Sequence, residues 1–177
     1  MLQIQDKKFE LFLSNQEIQN AICELAKKLE LEYTNREVVF LVVLNGAFMF
    51  AADLMKNYSN PCEISFIKVS SYKGMQSSGR VDEIIGLNTS IQGKHVVILE
   101  DIVDTGTTID KVFALLNMEQ PASIQIATLL YKPDAFIGKH KPEFVGFDIP
   151  NKFVVGYGLD YNEIGRNTQH IYQVVEA

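Results

Sequence analysis

Apolar residues recur along the chain in two rhythms. Ile18, Ala21, Ile22, Leu25, Ala26 and Leu29 keep the three- and four-residue spacing of one helix face, and Ser14 with Glu17 three residues on forms a capping box at its start. Elsewhere the apolar residues run together. Residues 38–44 are unbroken Val, Phe and Leu, the pattern of a strand covered on both faces in a parallel sheet; residues 96–99 are a short buried strand of the same kind, and residues 123–131 read as another apolar strand. Residues 62–71 alternate, anchored by Ile64, Phe66 and Val69, and residues 83–87 are expected to pair back against them. After the first continuous run, Asn45-Gly46 turns into a helix expected over 47–56. After the second, Ile109, Val112, Phe113, Leu115 and Leu116 mark another. Two strand-loop-helix units result, and loops at the carboxyl ends of parallel strands face one crevice. The expectation is an α/β fold, one domain over residues 1–177, with a central, mostly parallel sheet flanked by helices. Residues 38–55 are apolar enough to suggest a membrane span, but Asn45-Gly46 interrupts them and Asp53 follows.

Composition narrows the partners. The chain has 177 residues, 47% of them hydrophobic, and 16 basic against 22 acidic side chains leave a net charge of −6. Such a balance gives no general attraction to nucleic acid or to an anionic membrane, and a phosphate-rich substrate would arrive with magnesium. Cys23 and Cys62 have no paired or metal-ligand spacing, so two buried free thiols in a reducing cytoplasm are expected. Residues 1–13 mix Lys7, Lys8 and Glu10 with apolar residues and lack the continuous apolar core of a signal peptide.

The chemistry lies between the strand at 96–99 and the helix that follows, in Glu100-Asp101-Ile102-Val103-Asp104-Thr105-Gly106-Thr107-Thr108. A turn ending in Gly106 that opens a helix with two threonines offers backbone N–H groups, hydroxyls and a positive helix end, all suited to phosphate. Three carboxylates beside it would repel phosphate alone, so the ligand must bring neutral hydroxyls, a metal, or both. A phosphorylated sugar does so. Read plainly, the same residues are acids on a solvated loop before a threonine cap. Asp104-Thr105-Gly106 is also the tripeptide of aspartic proteases, but these need a second aspartate and an all-β surround, and a helical pattern follows here.

An apolar strand, Glu-Asp, two apolar residues and then Asp-Thr-Gly-x-Thr resembles the phosphoribosyl pyrophosphate motif of type I phosphoribosyltransferases. Lys132 at a strand end, residues 144–150 and then residues 152–163, Lys-Phe-Val-Val-Gly-Tyr-Gly-Leu-Asp-Tyr-Asn-Glu, resemble the purine-binding end of hypoxanthine-guanine phosphoribosyltransferases. The resemblance spans roughly residues 38–175. It implies that fold, with a small hood near the C-terminus over the base, and transfer of a 5-phosphoribosyl group from phosphoribosyl pyrophosphate to hypoxanthine or guanine.

By the same resemblance, Glu100 and Asp101 hold the ribose hydroxyls or act through magnesium. Asp104, Thr105, Gly106, Thr107 and Thr108 surround the phosphate, and Asp104 takes the purine nitrogen 7 proton. Leu44, Asn45 and Gly46, standing where the family has Leu-Lys-Gly, bind pyrophosphate with Arg166. Lys132 donates to the purine 6-oxo oxygen, Phe153 stacks on the base and the Val154 backbone meets its edge. Asp160 is a magnesium ligand, and Ser71 and Tyr72 begin a loop that folds over the site. A cytoplasmic homodimer or homotetramer is implied. A xanthine-preferring enzyme, a phosphoribosyl pyrophosphate synthase and a non-catalytic regulatory domain are the rival readings; the chain is short for the paired domains of the synthase, and its acidity disfavours the RNA-binding regulatory type.

Overall fold

The computed structural model describes residues 1–69, 83–85, 87 and 89–175. The chain opens with β1 (Leu2–Ile4), β2 (Lys7–Leu13) and α1 (Asn15–Glu32), continues through β3 (Val38–Val43), α2 (Phe48–Asn57), β4 (Glu63–Val69), β5 (Glu83–Ile85) and β6 (His95–Val103), and ends with α3 (Thr107–Asn117), β7 (Ser123–Tyr131), β8 (Phe144–Asp148), β9 (Val154–Val155) and β10 (Ile171–Val174).

A six-stranded sheet in the order β5-β4-β3-β6-β7-β8 forms the centre. Five strands are parallel, and β5 closes one edge antiparallel to β4. Every residue of β3 is buried, as its unbroken apolar run requires of a strand covered on both faces. Alternation then sorts the side chains. Phe40, Val42, Val97 and Leu99 face α1 and α2, while Val39, Leu41, Val96 and Ile98 face α3. Ser14 caps α1 as expected: its Oγ accepts from the Glu17 N–H at 3.3 Å, and Glu17 Oε2 accepts from the Ser14 N–H at 2.8 Å. Ile18, Ile22, Leu25, Ala26 and Leu29 form the buried face of this helix.

The sheet order locates the crevice. From β3 the chain steps outward to β4, and from β6 it steps the opposite way to β7. The loops after β3 and β6 therefore diverge, and the gap between them is the topological switch point where open α/β sheets take ligands.

A second, four-stranded antiparallel sheet, β1-β2-β10-β9, forms the hood. The hood expected near the C-terminus is present, but two of its four strands come from the N-terminus. Phe9 and Leu13 bury one side of β2 while its other residues stay at least partly exposed, and β10 pairs with it from Ile171↔Leu13 to Val174↔Phe9. Side chains tie the hood to the helices. Tyr157 Oη and Gln19 Nε2 donate to Asp53 Oδ2 at 2.5 and 2.7 Å, and the Asn15 N–H donates to His170 Nδ1 at 2.8 Å.

Several boundaries differ from the sequence reading. β4 begins one residue later than expected, residues 70 and 71 of that stretch lie outside the described residues, α2 begins one residue later, and Cys23 and Cys62 are free but only half-buried. The larger difference is that Glu100 and Asp101, read as lying between the strand at 96–99 and the following helix, belong to β6 itself and are buried. The pairing partner explains this: β7 continues its ladder past them, with Glu100 opposite Thr128 and Val103 opposite Tyr131. Ser71 and Tyr72 lie outside the described residues. Among the described residues, no helix is long and apolar enough to cross a membrane.

Candidate active site

At the carboxyl end of β6, Gly106 makes the turn into α3. Its φ of +85° is left-handed, and a Cβ there would run into Phe136, so both backbone and space call for glycine. As the residue before the helix, Gly106 has no side chain to cap it. Among the described residues the first-turn amides of α3 are thus left for a ligand, Thr107 N having only a 3.5 Å contact with Thr105 Oγ1. Glu100 and residues 102–109 enclose a cavity of about 220 Å³, with the Thr105 and Thr107 hydroxyls 3.1 Å apart at its edge. A cup of amides and hydroxyls at a positive helix end suits a phosphate monoester.

The two strand acids behave differently. Glu100 lines this cavity, and its Oε2 is buried without a hydrogen-bond partner among the described residues. Burial, followed by the neighbouring Asp101 charge, pushes its carboxyl well above the usual carboxylate range. Asp101 faces the loop after β3, its carboxylate packed directly on the Gly46 Cα. Burial raises Asp101 to about 6 despite backbone N–H donors and the Arg166 charge, with Asp160 adding to the rise. An orphaned acceptor and a costly buried carboxylate at the mouth of an anion cup form a site for a cation or for sugar hydroxyls.

The β3 loop is held by close backbone contacts. Gly158, at φ +99°, packs on the Gly46 carbonyl so closely that no Cβ fits between them. The Leu44–Asn45 peptide is cis, and Asn45 Oδ1 accepts from Lys68 Nζ of β4 at 3.2 Å. Arg166 locks the hood side, its Nη1 donating to the Gly158 carbonyl at 2.8 Å and its Nη2 pairing with Asp160 Oδ1 at 2.7 Å and Glu163 Oε2 at 3.0 Å. Leu44, Asn45, Gly46, Asp101, Asp160 and Arg166 thus come together through Gly158.

Beside the phosphate cup, Lys132 directly follows β7 with its N–H on the Val103 carbonyl at 3.0 Å. Its Nζ donates to Asp104 Oδ2 at 2.8 Å; the lysine side chain is 7% exposed and the aspartate 45%. A buried ammonium satisfied by a half-open carboxylate is a donor and an acceptor side by side at one site. Phe153 is 43% exposed and packs in the hood, 6.3 Å from the Phe9 ring and 5.7 Å from that of Tyr161. Val154 beside it is buried.

Sequence reading missed Lys68, Gly158 and Phe9. For Gly158 a signal existed, a second glycine two residues after Gly156. For the other two the partners are distant in sequence, and only the fold supplies them.

A model of the phosphoribosyl transferase domain matches residues 10–162. The chain belongs to the phosphoribosyltransferase family. Within it, the chain is 39% identical to a hypoxanthine-guanine phosphoribosyltransferase of Aquifex aeolicus over 98% of its own length and 99% of the relative's. It is 42% identical to a hypoxanthine phosphoribosyltransferase of Haemophilus influenzae, over 94% and 95% of the two chains. A crystal structure of a Bacillus anthracis hypoxanthine-guanine phosphoribosyltransferase superposes with a TM-score of 0.87 at 36% identity, covering 96% of this chain and 98% of that one. The central sheet with its hood is accordingly the type I phosphoribosyltransferase fold.

Proposed function

We propose that this phosphoribosyltransferase is a purine salvage enzyme that joins hypoxanthine or guanine to phosphoribosyl pyrophosphate and releases pyrophosphate. One observation carries the base assignment: Lys132 Nζ and Asp104 Oδ2 stand 2.8 Å apart beside the phosphate cup. The edge of a 6-oxopurine presents an acceptor, the 6-oxo oxygen, next to a donor, the nitrogen 7 proton. An ammonium and a carboxylate side by side complement that edge, whereas adenine brings an amino group against the ammonium.

In the proposed reaction, the 5′-phosphate rests on Thr105, Gly106, Thr107 and Thr108 at the α3 terminus, and Glu100 and Asp101 face the ribose. Phe153 covers the ring of the base, with the backbone of Val154 at its edge. Pyrophosphate lies on Leu44, Asn45, Gly46 and Arg166. Purine nitrogen 9 bonds to the ribose C1′ as the bond from C1′ to the pyrophosphate oxygen breaks, through an oxocarbenium-like state. Without a base, Lys132 neutralises Asp104; when Lys132 turns to the 6-oxo oxygen, Asp104 is freed to take the nitrogen 7 proton.

The acid set fits magnesium. Among the described residues no three His, Cys, Asp or Glu side chains make a closed ligand cage. Magnesium characteristically takes one or two carboxylates and completes its shell with water and substrate phosphate. Asp160, Glu100 and Asp101 are the residues that would hold it, and the unpartnered Glu100 Oε2 is an open donor for it. When bound, magnesium neutralises charge on the departing pyrophosphate.

We place the enzyme in the cytoplasm, in keeping with its two unpaired cysteines, and as one catalytic domain in a homodimer or homotetramer. Ile64 and Phe66, on one face of β4, are exposed apolar residues that a second copy would cover. The test of function is product analysis after incubating the purified protein with magnesium, phosphoribosyl pyrophosphate and hypoxanthine, guanine, xanthine, adenine or uracil. Inosine and guanosine monophosphates are expected. Product from xanthine alone would move the assignment to the xanthine-preferring reading, and no product from any base would remove it.

A further inference from the structure

The loop proposed for pyrophosphate, Leu44-Asn45-Gly46, has no cationic side chain, and the acids Asp101 and Asp160 lie close to it. Pyrophosphate brought to backbone amides alone would meet those charges, with Arg166 already shared between Asp160 and Glu163. The fold delivers a further cation from another strand. In the parallel register Val42 is opposite Phe66 and Val43 opposite Ile67, and the Leu44 N–H donates to the Ile67 carbonyl at 2.9 Å. The next residue of β4, Lys68, therefore stands alongside the loop, and its Nζ donates to Asn45 Oδ1 at 3.2 Å. That bond uses one of the three N–H donors of an ammonium and fixes the charge at the loop.

We propose that Lys68 is a pyrophosphate-binding residue of the active site, lending the β3 loop the positive charge its own sequence lacks, with Asn45 holding the ammonium in place. The inference rests on the phosphoribosyl pyrophosphate reading of the site. Lys68 serves the diphosphate end of the substrate and not the purine, so its effects fall on one substrate. A point charge acting on an anion also has a salt signature that a merely structural bond lacks.

The experiment compares Lys68→Gln, Lys68→Arg and Asn45→Ala with the unmodified protein. It measures KM for phosphoribosyl pyrophosphate and for hypoxanthine, and the Kd of magnesium pyrophosphate by calorimetry at low and high potassium chloride. Lys68→Gln should raise the KM for phosphoribosyl pyrophosphate and the Kd of pyrophosphate by about tenfold, leave the KM for hypoxanthine within twofold, and flatten the salt dependence. Lys68→Arg should restore most of the binding, and Asn45→Ala should lose less than Lys68→Gln. An active protein whose Lys68→Gln variant binds pyrophosphate as tightly as the original overturns the role of Lys68 alone. Equal losses in Lys68→Gln and Asn45→Ala, with salt dependence unchanged, also overturn it, because Lys68 would then act only as a support for Asn45. An unmodified protein that neither turns over phosphoribosyl pyrophosphate nor binds pyrophosphate overturns both this inference and the function beneath it.

Discussion

Asp101→Asn should make the protein more stable and less active. Burial raises the Asp101 carboxyl from 3.8 to about 6, so keeping it ionised in the folded protein at pH 7.5 costs about 3 kcal/mol. Asparagine has the same shape and no charge, but its amide nitrogen replaces a carboxylate oxygen that accepts from the Ile102 and Asp101 backbone N–H groups, a loss of about 1 kcal/mol. The net gain is about 2 kcal/mol, and for a chain of this size Tm should rise by about 4–8 °C. The gain depends on pH in a definite sense. Because the folded pKa is raised, the folded state binds more protons than the unfolded state between 3.8 and about 6, and stability falls as pH rises through that window. At pH 5 the penalty on Asp101 is about half its value at pH 7.5, so the advantage of the variant should shrink by about 1 kcal/mol. Asp53 and Asp110, whose carboxyls hydrogen bonds hold low against burial, lose their contributions only at more acid pH, while Glu100, raised by burial and by the Asp101 charge, is relieved in part by the substitution and shifts the difference in the same direction. The assay is calorimetric unfolding of both proteins from pH 5 to 7.5, alongside kcat/KM for phosphoribosyl pyrophosphate, which should fall at least tenfold in the variant. A variant no more stable than the original at pH 7.5, or a difference that does not narrow toward pH 5, would refute the charge-burial argument.

Two further outcomes are expected. Asp104→Asn should lower kcat by about 10²-fold with a smaller change in affinity for the nucleotide product, measured by steady-state kinetics and calorimetry; an unchanged kcat takes Asp104 out of proton transfer. Chelation with EDTA should abolish turnover and added magnesium restore it, and full activity in metal-free buffer would contradict the roles given to Asp160, Glu100 and Asp101.

The parts of the fold visible in the sequence are those built from neighbours. The capping box at Ser14 and Glu17, the unbroken apolar run of β3 and the glycine turn into α3 each carry their cause within a few residues. The hood was only half legible, because Phe9 and Leu13 alternate like a strand but pair with residues about 160 positions away, a contact no local pattern contains. Glu100 and Asp101 illustrate a second limit. Acids suggest a loop, yet β7 extends the ladder past them, and burial at a functional site overrode the ordinary preference of carboxylates for water. The residue types of the site were readable from motif spacing. Their couplings were not: Lys132 on Asp104, Asp101 on Gly46 and Lys68 on Asn45 join separate strands through the sheet order.

The central claim is that the Lys132 and Asp104 pair reads the edge of a 6-oxopurine, and kcat/KM for hypoxanthine and adenine in the unmodified protein and in Lys132→Gln tests it most directly. The original should prefer hypoxanthine by about 10³-fold or more, since adenine leaves a buried ammonium facing an amino group. In the variant, an amide that can turn to offer a donor or an acceptor should lower hypoxanthine use and raise adenine relative to it. Equal use of the two bases by the original, or an unaltered ratio in Lys132→Gln, would contradict the account.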